Sequence, residues 1–208
     1  MSQDEVLIKS GWTMSKRVIL ITGTPCVGKT TVANLLTSKL DAYYVSLTDL
    51  AISENLVLGK DTRRGSVIID EQKMKQRIRR IIIESEKDNI VIDGHYAVNV
   101  VPKELVSYIF VLRRDPVELK KMMEKSGYSE RKTDENLASE ILDVCLVEAL
   151  NVHGPGRTCE LDVTGKSGRE VLMEMLGILH DDSKCRVGIV DWLGKLEANG
   201  LLEKYLRF

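Results

Sequence analysis

The feature that most constrains this chain is a short glycine-containing loop between an apolar segment and an amphipathic one. Residues 17–22 read RVILIT, which is typical of a strand buried on both faces of a parallel sheet. Residues 23–30 read GTPCVGKT and match the pattern G-x-x-x-x-G-K-[ST] in full. Residues 29–40 then carry apolar side chains at helical spacing. A strand, this loop and a helix in that order predict a phosphate-binding loop, or P-loop.

Each conserved position of the pattern has a physical role in holding a nucleoside triphosphate. Gly23 and Gly28 allow backbone angles that a side chain would hinder, so that the loop N–H groups turn inward around phosphate oxygens. The Lys29 ammonium is expected to reach the β- and γ-phosphates, and the Thr30 hydroxyl to ligate Mg²⁺. The residues predicted to contact ATP in this segment are Gly23, Thr24, Pro25, Cys26, Val27, Gly28, Lys29, Thr30 and Thr31.

The remainder of the chain alternates between strand and helix patterns. Further apolar segments at 43–45, 90–92, 108–112 and 159–163 predict four more strands. Predicted helices cover 49–58, 71–87, 116–125, 133–152 and 167–180, followed by two short amphipathic helices in the tail. Regular alternation predicts a three-layer α/β fold, with a five-stranded parallel sheet and helices on both faces.

Composition excludes several classes of function. Lys plus Arg number 30 and Asp plus Glu number 31, so bulk charge does not attract nucleic acid, and we expect no direct sequence-specific binding to it. No apolar run approaches the roughly 20 residues that span a bilayer. Cys26, Cys145, Cys159 and Cys185 form no CxxC pair, which favours reduced thiols over a disulfide framework or zinc site and predicts a cytoplasmic protein.

Two residues after the third predicted strand are candidates for chemistry. Asp93 is expected to hold Mg²⁺ together with Thr30, partly through water, as the acidic residue that P-loop enzymes carry at a neighbouring strand end. The alternative is that Asp93 only caps the turn. His95 could orient water or a phosphate group and accept a proton near pH 7, or it could be a loop histidine without such a role.

Positive charge near the transferred phosphoryl group is the remaining requirement. Arg113 and Arg114 follow the fourth strand and would face the nucleotide, and we predict that Arg113 binds it. Arg131 and Lys132 lie in the polar segment 127–132, which is expected to be a closing lid loop. Each of these residues, taken alone, is also compatible with an ordinary surface charge.

These segments resemble the adenylate kinase isoenzyme 6 family, a branch of the nucleoside monophosphate kinases, between residues 18 and about 152. The resemblance is carried by residues 23–31, 48–51, 69–71, Asp93 with His95, residues 111–113, residues 127–132 and Asn136. It implies an ATPase with AMP kinase activity that assists small ribosomal subunit (rRNA) maturation. The implied partners are ATP, AMP, a small-subunit ribosomal protein and the small ribosomal subunit.

We expect the chain to divide into three parts. Residues 1–16 would be a flexible extension, 17–180 the kinase-like domain and 181–208 a helical extension. Within the domain, residues 46–71 would bind the acceptor nucleotide and residues 126–136 would form the lid. The expected catalytic residues are Lys29, Asp93, His95, Arg131 and Lys132, with Arg131 also on the nucleotide, and the expected acceptor residues are Asp49, Arg63 and Arg64.

The chain departs from the family pattern in three places. Cys26 stands where the family often has glycine, and Ser126 stands where it often has arginine. Ile52 and Ser53 occupy the place of a basic residue that would contact the acceptor phosphate, so Arg63 and Arg64 are the candidates to replace it.

Several alternatives stay open at this point. They are a slow ATPase that acts as a switch or chaperone for a ribosomal protein, a P-loop kinase of another small molecule, and a non-catalytic ATP-binding module. A GTPase is disfavoured, because the chain lacks an Asn-Lys-x-Asp motif and its D-x-x-G match at 162–165 lies too far along the chain. Whether translation starts at Met1 or Met14 is also open.

Overall fold

The computed structural model describes residues 16–61, 66–181 and 185–206. The strands are β1 (Arg17–Thr22), β2 (Tyr43–Ser46), β3 (Val57–Asp61), β4 (Ser66–Ile69), β5 (Asn89–Asp93), β6 (Val106–Arg113) and β7 (Thr158–Asp162). Five of them form one parallel sheet in the order β2-β5-β1-β6-β7. The predicted five-stranded parallel sheet is therefore confirmed.

The helices lie on both faces of this sheet. They are α1 (Lys29–Leu40), α2 (Leu47–Ser53), α3 (Glu71–Glu84), α4 (Ala97–Val100), α5 (Pro116–Lys125), α6 (Glu130–Ile141), α7 (Val144–His153), α8 (Gly168–His180), α9 (Trp192–Ala198) and α10 (Leu202–Tyr205). Asp115 caps α5 by accepting hydrogen bonds from two backbone N–H groups, and Ser167 with Glu170 forms the predicted capping box of α8. None of the helices in these described ranges is long and apolar enough to cross a membrane.

Two apolar clusters, one on each side of the sheet, make the three-layer arrangement stable. One packs α2, α3, α4 and α7 against one face, with Met74, Ile78 and Leu146 fully or almost fully buried. The other packs α1, α5, α6 and α8 against the opposite face, and also takes in Leu196 and Tyr205 from α9 and α10. The C-terminal helices are thus part of the folded core.

The predicted single helix over residues 133–152 is wrong, because Asp143 interrupts it. This residue has a left-handed backbone (φ 57°), which ends α6 and starts α7 in a new direction. The prediction of a loop over residues 127–132 also needs correction, because α6 already begins at Glu130. Arg131 and Lys132 therefore lie in the first turn of a helix, whose N-terminus is capped by Ser129.

The acceptor region was predicted as a helix over 49–58 without strands. The helix is shorter and earlier, since Ser46 caps α2 through the backbone N–H of Asp49. Strands β3 and β4 follow as an antiparallel hairpin. Arg63 and Arg64 lie outside the described residues, as do residues 1–15 of the predicted N-terminal extension.

The expectation of four reduced cysteines is contradicted, because Cys159 and Cys185 form a disulfide. The chain after α8 returns alongside β7, where the backbone N–H of Glu160 donates to the carbonyl of Arg186 at 2.8 Å. This places the two cysteine Cα atoms 4.9 Å apart although 26 positions separate them in sequence. Cys26 and Cys145 are free thiols.

Candidate active site

The P-loop lies at the carboxyl end of the central strand and requires glycine at its first position. Gly23 has φ +135°, and a Cβ there would lie 2.5 Å from the carbonyl oxygen of Leu112 on neighbouring β6. Gly28 has φ +107° and stands directly before α1. The backbone therefore takes the tight path that leaves its N–H groups and the N-terminus of α1 available for an anion.

Lys29 is held inside this loop. Its ammonium donates to the carbonyls of Gly23 at 2.8 Å and Thr24 at 2.9 Å. Burial lowers the pKa of Lys29, while the negative charge of Asp93 opposes that shift. A cation at this position lies where the phosphate chain of a nucleotide enters a P-loop.

Cys26 adopts a backbone conformation that normally favours glycine. Its φ is +69°, which explains in physical terms why a related protein would carry glycine here. Its thiol lies close enough to Tyr128, which precedes α6 in the predicted lid, to affect the pKa of that phenol. Burial and this thiol raise the pKa of Tyr128, so the phenol is neutral at pH 7.

The predicted magnesium ligands are brought together. Thr30 Oγ1 donates to Asp93 Oδ2 at 2.7 Å, and the Tyr44 hydroxyl donates to the other carboxylate oxygen at 3.1 Å. Asp93 is buried, with 3% of its surface exposed. Burial and the Asp93 charge raise the pKa of Tyr44 to about 12, so the phenol remains a hydrogen-bond donor at neutral pH.

His95 lies beside this pair at the rim of the site. Its ring packs edge-on against Tyr96 with centroids 4.9 Å apart. Desolvation by the surrounding protein lowers the pKa of His95, and the positive charges of Lys29 and Lys132 lower it further, to about 4. The imidazole is therefore neutral at pH 7 and has a nitrogen that can accept a hydrogen bond.

Arg113 is the last residue of β6 and Arg114 follows it, and both side chains are buried. Arg113 has 1% of its surface exposed and is surrounded by the carboxylates of Glu140, Asp143 and Glu160. Burial alone would lower the pKa of Arg113, but Glu140 and Asp143 raise it. Arg114 instead supports the loop from behind, donating to the Val27 carbonyl at 3.3 and 3.2 Å.

The two lid cations have different surroundings. Lys132 Nζ lies 5.8 Å from the centre of the Tyr128 ring and is close enough to affect the pKa of His95. Arg131 pairs with Glu135 at 3.1 Å, and 64% of its side chain is exposed. The structure thus brings Lys132 to the site and leaves Arg131 on the surface of α6.

The remaining predicted residues lie around the loop. Thr31 is exposed and its methyl group faces Gly168 at the start of α8. Pro25 is half-buried and Val27 is buried. Asp49 is exposed in the first turn of α2, where its charge contributes to the raised pKa of Tyr44.

Sequence reasoning missed the roles of Tyr44 and Glu140. Glu140 is buried and accepts a hydrogen bond from Thr24 Oγ1 at 2.5 Å. The spacing of α6 could have shown that Glu140 is buried, because it follows Leu137 by three positions and precedes Ile141 on the apolar side of the helix. A carboxylate on a buried stripe indicates a buried polar partner.

The donor set can be compared with what Mg²⁺ requires. The Thr30 hydroxyl and the Asp93 carboxylate offer hard oxygen ligands, which is the chemistry that Mg²⁺ prefers. Among the described residues, no cluster of three or more His, Cys, Asp or Glu side chains could hold a metal without other ligands. The residues present therefore fit a magnesium ion that is shared with substrate phosphates and water.

Comparison with solved structures agrees with this fold. Shikimate kinase from Acinetobacter baumannii superposes with a TM-score of 0.58 at 13% identity, covering 81% of this chain and 95% of that one. Thymidylate kinase from Candida albicans gives 0.51 at 15% identity, covering 82% and 93%. The sheet order, the P-loop and these neighbours define a P-loop protein with a small-molecule kinase fold.

Sequence comparison then gives the family. Residues 19–143 match a family model described as "AAA domain". A Pyrococcus furiosus protein named "Putative adenylate kinase" is 40% identical over 177 residues, covering 84% of this chain and 91% of that protein. A Methanocaldococcus jannaschii protein of the same name is 36% identical over 177 residues, covering 85% and 93%. The chain belongs to this adenylate kinase family of P-loop proteins.

Proposed function

We propose that this protein transfers the γ-phosphoryl group of ATP to a nucleoside monophosphate, with AMP as the first acceptor to test. The observation that carries the proposal is the contact between Thr30 and Asp93 beside the P-loop lysine. Lys29 and Thr30 begin α1 after the P-loop, and Asp93 ends the strand β5 beside β1, so the three groups meet where the phosphate chain would lie. The names of the archaeal relatives support the same chemistry.

In the proposed reaction, an acceptor phosphate oxygen attacks the γ-phosphorus in line and the β–γ bridging oxygen leaves with ADP. The loop N–H groups and Lys29 bind and orient the phosphates, and Lys132 adds positive charge from α6. Thr30 and Asp93 would hold Mg²⁺, which would supply charge neutralisation on the phosphate oxygens. Tyr44 keeps the Asp93 carboxylate in place from the other side.

The acceptor would bind along residues 46–71, where Asp49 is exposed and the hairpin follows. Residues 126–136 would close over the phosphates as the lid, with Tyr128 and Lys132 as the groups nearest the loop. Within this proposal Arg131 reaches the nucleotide only if α6 changes its position.

A second candidate is ATP hydrolysis, for which His95 is the specific observation. Its neutral ring, close to Lys29, can accept a hydrogen bond from an attacking water. A role of that hydrolysis in small ribosomal subunit maturation, with a ribosomal protein as partner, is supported only by the family resemblance. ATPase and kinase activities can share the one site.

Product analysis with ATP and Mg²⁺, with and without AMP, dAMP or CMP, tests the proposal. ADP formed only in step with a monophosphate indicates a kinase, and ADP with free phosphate in its absence indicates an ATPase. Lys29→Ala should lower turnover by several orders of magnitude, roughly 10³-fold or more, because the lysine contacts transition-state charge. Lys39→Ala, in the last turn of the same helix, is the matched control. Equal turnover in the two variants would contradict the proposed site.

A further inference from the structure

One buried carboxylate, that of Glu140, joins the P-loop to the C-terminal part of the chain. Its Oε2 accepts from Thr24 Oγ1 at 2.5 Å. Its Oε1 accepts from the indole Nε1 of Trp192 at 3.1 Å, from Arg113 Nε at 2.9 Å and from the backbone N–H of Arg114 at 3.1 Å. The Glu140 side chain is 1% exposed, so these protein donors take the place of water around a buried anion.

The charges around Glu140 show why each donor matters. Arg113 is the cation of the cluster and also pairs with Glu160 at 2.6 Å and with Asp143. One guanidinium therefore serves three carboxylates, and the neutral donors from Thr24 and Trp192 complete the solvation of Glu140. A hydrogen bond from a neutral donor to a buried charged acceptor contributes more to stability than a hydrogen bond to a neutral acceptor.

Contacts made by the residues just before Trp192 hold it in place. The backbone N–H of Ile189 donates to Glu160 Oε2 at 2.8 Å, and the disulfide between Cys159 and Cys185 joins the segment to β7. The Trp192 side chain itself is buried at 4% exposure. The C-terminal segment 185–206 is thus anchored at one end by β7 and inserts its indole beneath the P-loop.

We propose that Glu140 is a positioning residue for the P-loop, and that Trp192 makes the C-terminal segment 185–206 part of this positioning. The inference rests on the proposed nucleotide site. The Thr24 hydroxyl lies next to the two carbonyls that receive the Lys29 ammonium, so a shift of Thr24 moves those carbonyls and the lysine with them. Trp192 acts on the nucleotide only through Glu140 and Thr24.

The experiment is a double-mutant cycle read out by nucleotide affinity. Trp192→Phe removes the indole N–H and keeps an aromatic ring, and Thr24→Val removes the hydroxyl at nearly constant shape. Titration calorimetry with ADP·Mg²⁺ should show each single variant binding roughly three- to tenfold more weakly than wild type, the range expected when the net contribution of one typical hydrogen bond is lost. The double variant should bind ADP about as weakly as whichever single variant has the lower affinity. The reason is that the Trp192 indole and the Thr24 hydroxyl donate to the same carboxylate, that of Glu140.

Steady-state kinetics adds a readout that simple loss of packing would not give. Trp192→Phe should raise the KM for ATP and leave the KM for the monophosphate acceptor unchanged, since Glu140 lies behind the P-loop. Leu196→Val is the packing control, because Leu196 is buried in the same helix as Trp192 and no described hydrogen bond joins its side chain to Glu140. This control should bind ADP with wild-type affinity.

Two outcomes overturn the proposal. Wild-type ADP affinity in folded Trp192→Phe, with Lys29→Ala still weakened, would show that the nucleotide site exists but that Trp192 does not position it. Strictly additive effects of Trp192→Phe and Thr24→Val would show that Glu140 does not couple them. If neither Lys29→Ala nor Trp192→Phe changes ADP binding, the nucleotide site itself is wrongly assigned and both proposals fall.

Discussion

The hydroxyl of Thr30 lies 2.7 Å from Oδ2 of Asp93, although 63 positions separate the two residues in the chain. The contact arises because β1 and β5 are adjacent parallel strands, with Ile21 in register with Asp93. Their carboxyl ends therefore meet at the same edge of the sheet, where α1 begins. This relationship places a hydroxyl and a carboxylate within reach of one metal ion.

Replacement of Asp93 tests the consequence of this contact for catalysis. Asp93→Ala should lower kcat by at least about a hundredfold, because the variant loses a group that acts on transition-state charge. Asp88→Ala is the control, since Asp88 is an exposed residue just before the same strand. The measurement is ADP formation at saturating ATP and Mg²⁺. An Asp93→Ala variant within a few-fold of the control would remove Asp93 from the mechanism.

Arg113 should be essential for stability, in contrast to its predicted role in binding nucleotide. Arg113→Ala leaves the buried carboxylates of Glu140 and Glu160 without their cation, and we expect a loss of about 3–5 kcal/mol in the free energy of unfolding. Arg79→Ala, which removes an exposed pair with Glu104, should cost less than about 1 kcal/mol. Urea denaturation of both variants gives the comparison. Equal losses would contradict the structural role of Arg113.

The disulfide between Cys159 and Cys185 should stabilise the fold by restricting the unfolded chain. The loop that it closes has a sequence separation of 26, for which chain entropy predicts about 3.5 kcal/mol. Cys185→Ser should lower the melting temperature under non-reducing conditions, and Cys145→Ser is the free-thiol control. A reducing agent should lower the melting temperature of wild type and leave that of Cys185→Ser unchanged. Absence of any effect of reductant on wild type would show that the bond is not formed in solution.

The lowered pKa of His95 predicts a defined dependence of stability on pH. The unfolded chain binds a proton on this histidine below pH 6.5, whereas the folded protein does so only near pH 4. The unfolded state therefore holds more protons between these values, and the stability conferred by the neutral ring is present above pH 6.5 and lost as the pH falls toward 4. Melting temperatures of His95→Asn, measured from pH 7 to pH 4, should fall less steeply than those of wild type. Parallel curves would contradict the assigned pKa.

The fold and the P-loop could be predicted because their signals are local. The RVILIT run, the glycine spacing and the Lys29–Thr30 pair lie within 14 consecutive residues, and hydrophobic periodicity located the five sheet strands. The break at Asp143 could not be read in this way. It depends on a left-handed residue whose carboxylate meets Arg113 from β6, and apolar spacing continues on both sides of it.

Packing also decides where individual charged side chains lie. Arg113 and Arg114 look alike as a basic pair at a strand end, yet alternation along an extended backbone sends successive side chains to opposite sides. Arg113 enters the carboxylate cluster and Arg114 supports the Val27 carbonyl. The disulfide could not be predicted from the sequence either, because only the return of the chain beside β7 brings Cys185 to Cys159.

By itself, the sequence determined the sheet class, the phosphate loop and the pairing of Thr30 with an acidic strand end, because these depend on spacing within short segments and on the parallel arrangement of the strands. The tertiary structure alone decided that Arg113 belongs to the interior, that Glu140 lies behind the loop and that the C-terminal segment supplies Trp192 to it. Those contacts join residues far apart in the chain, and their energies arise only when burial removes water from the charges.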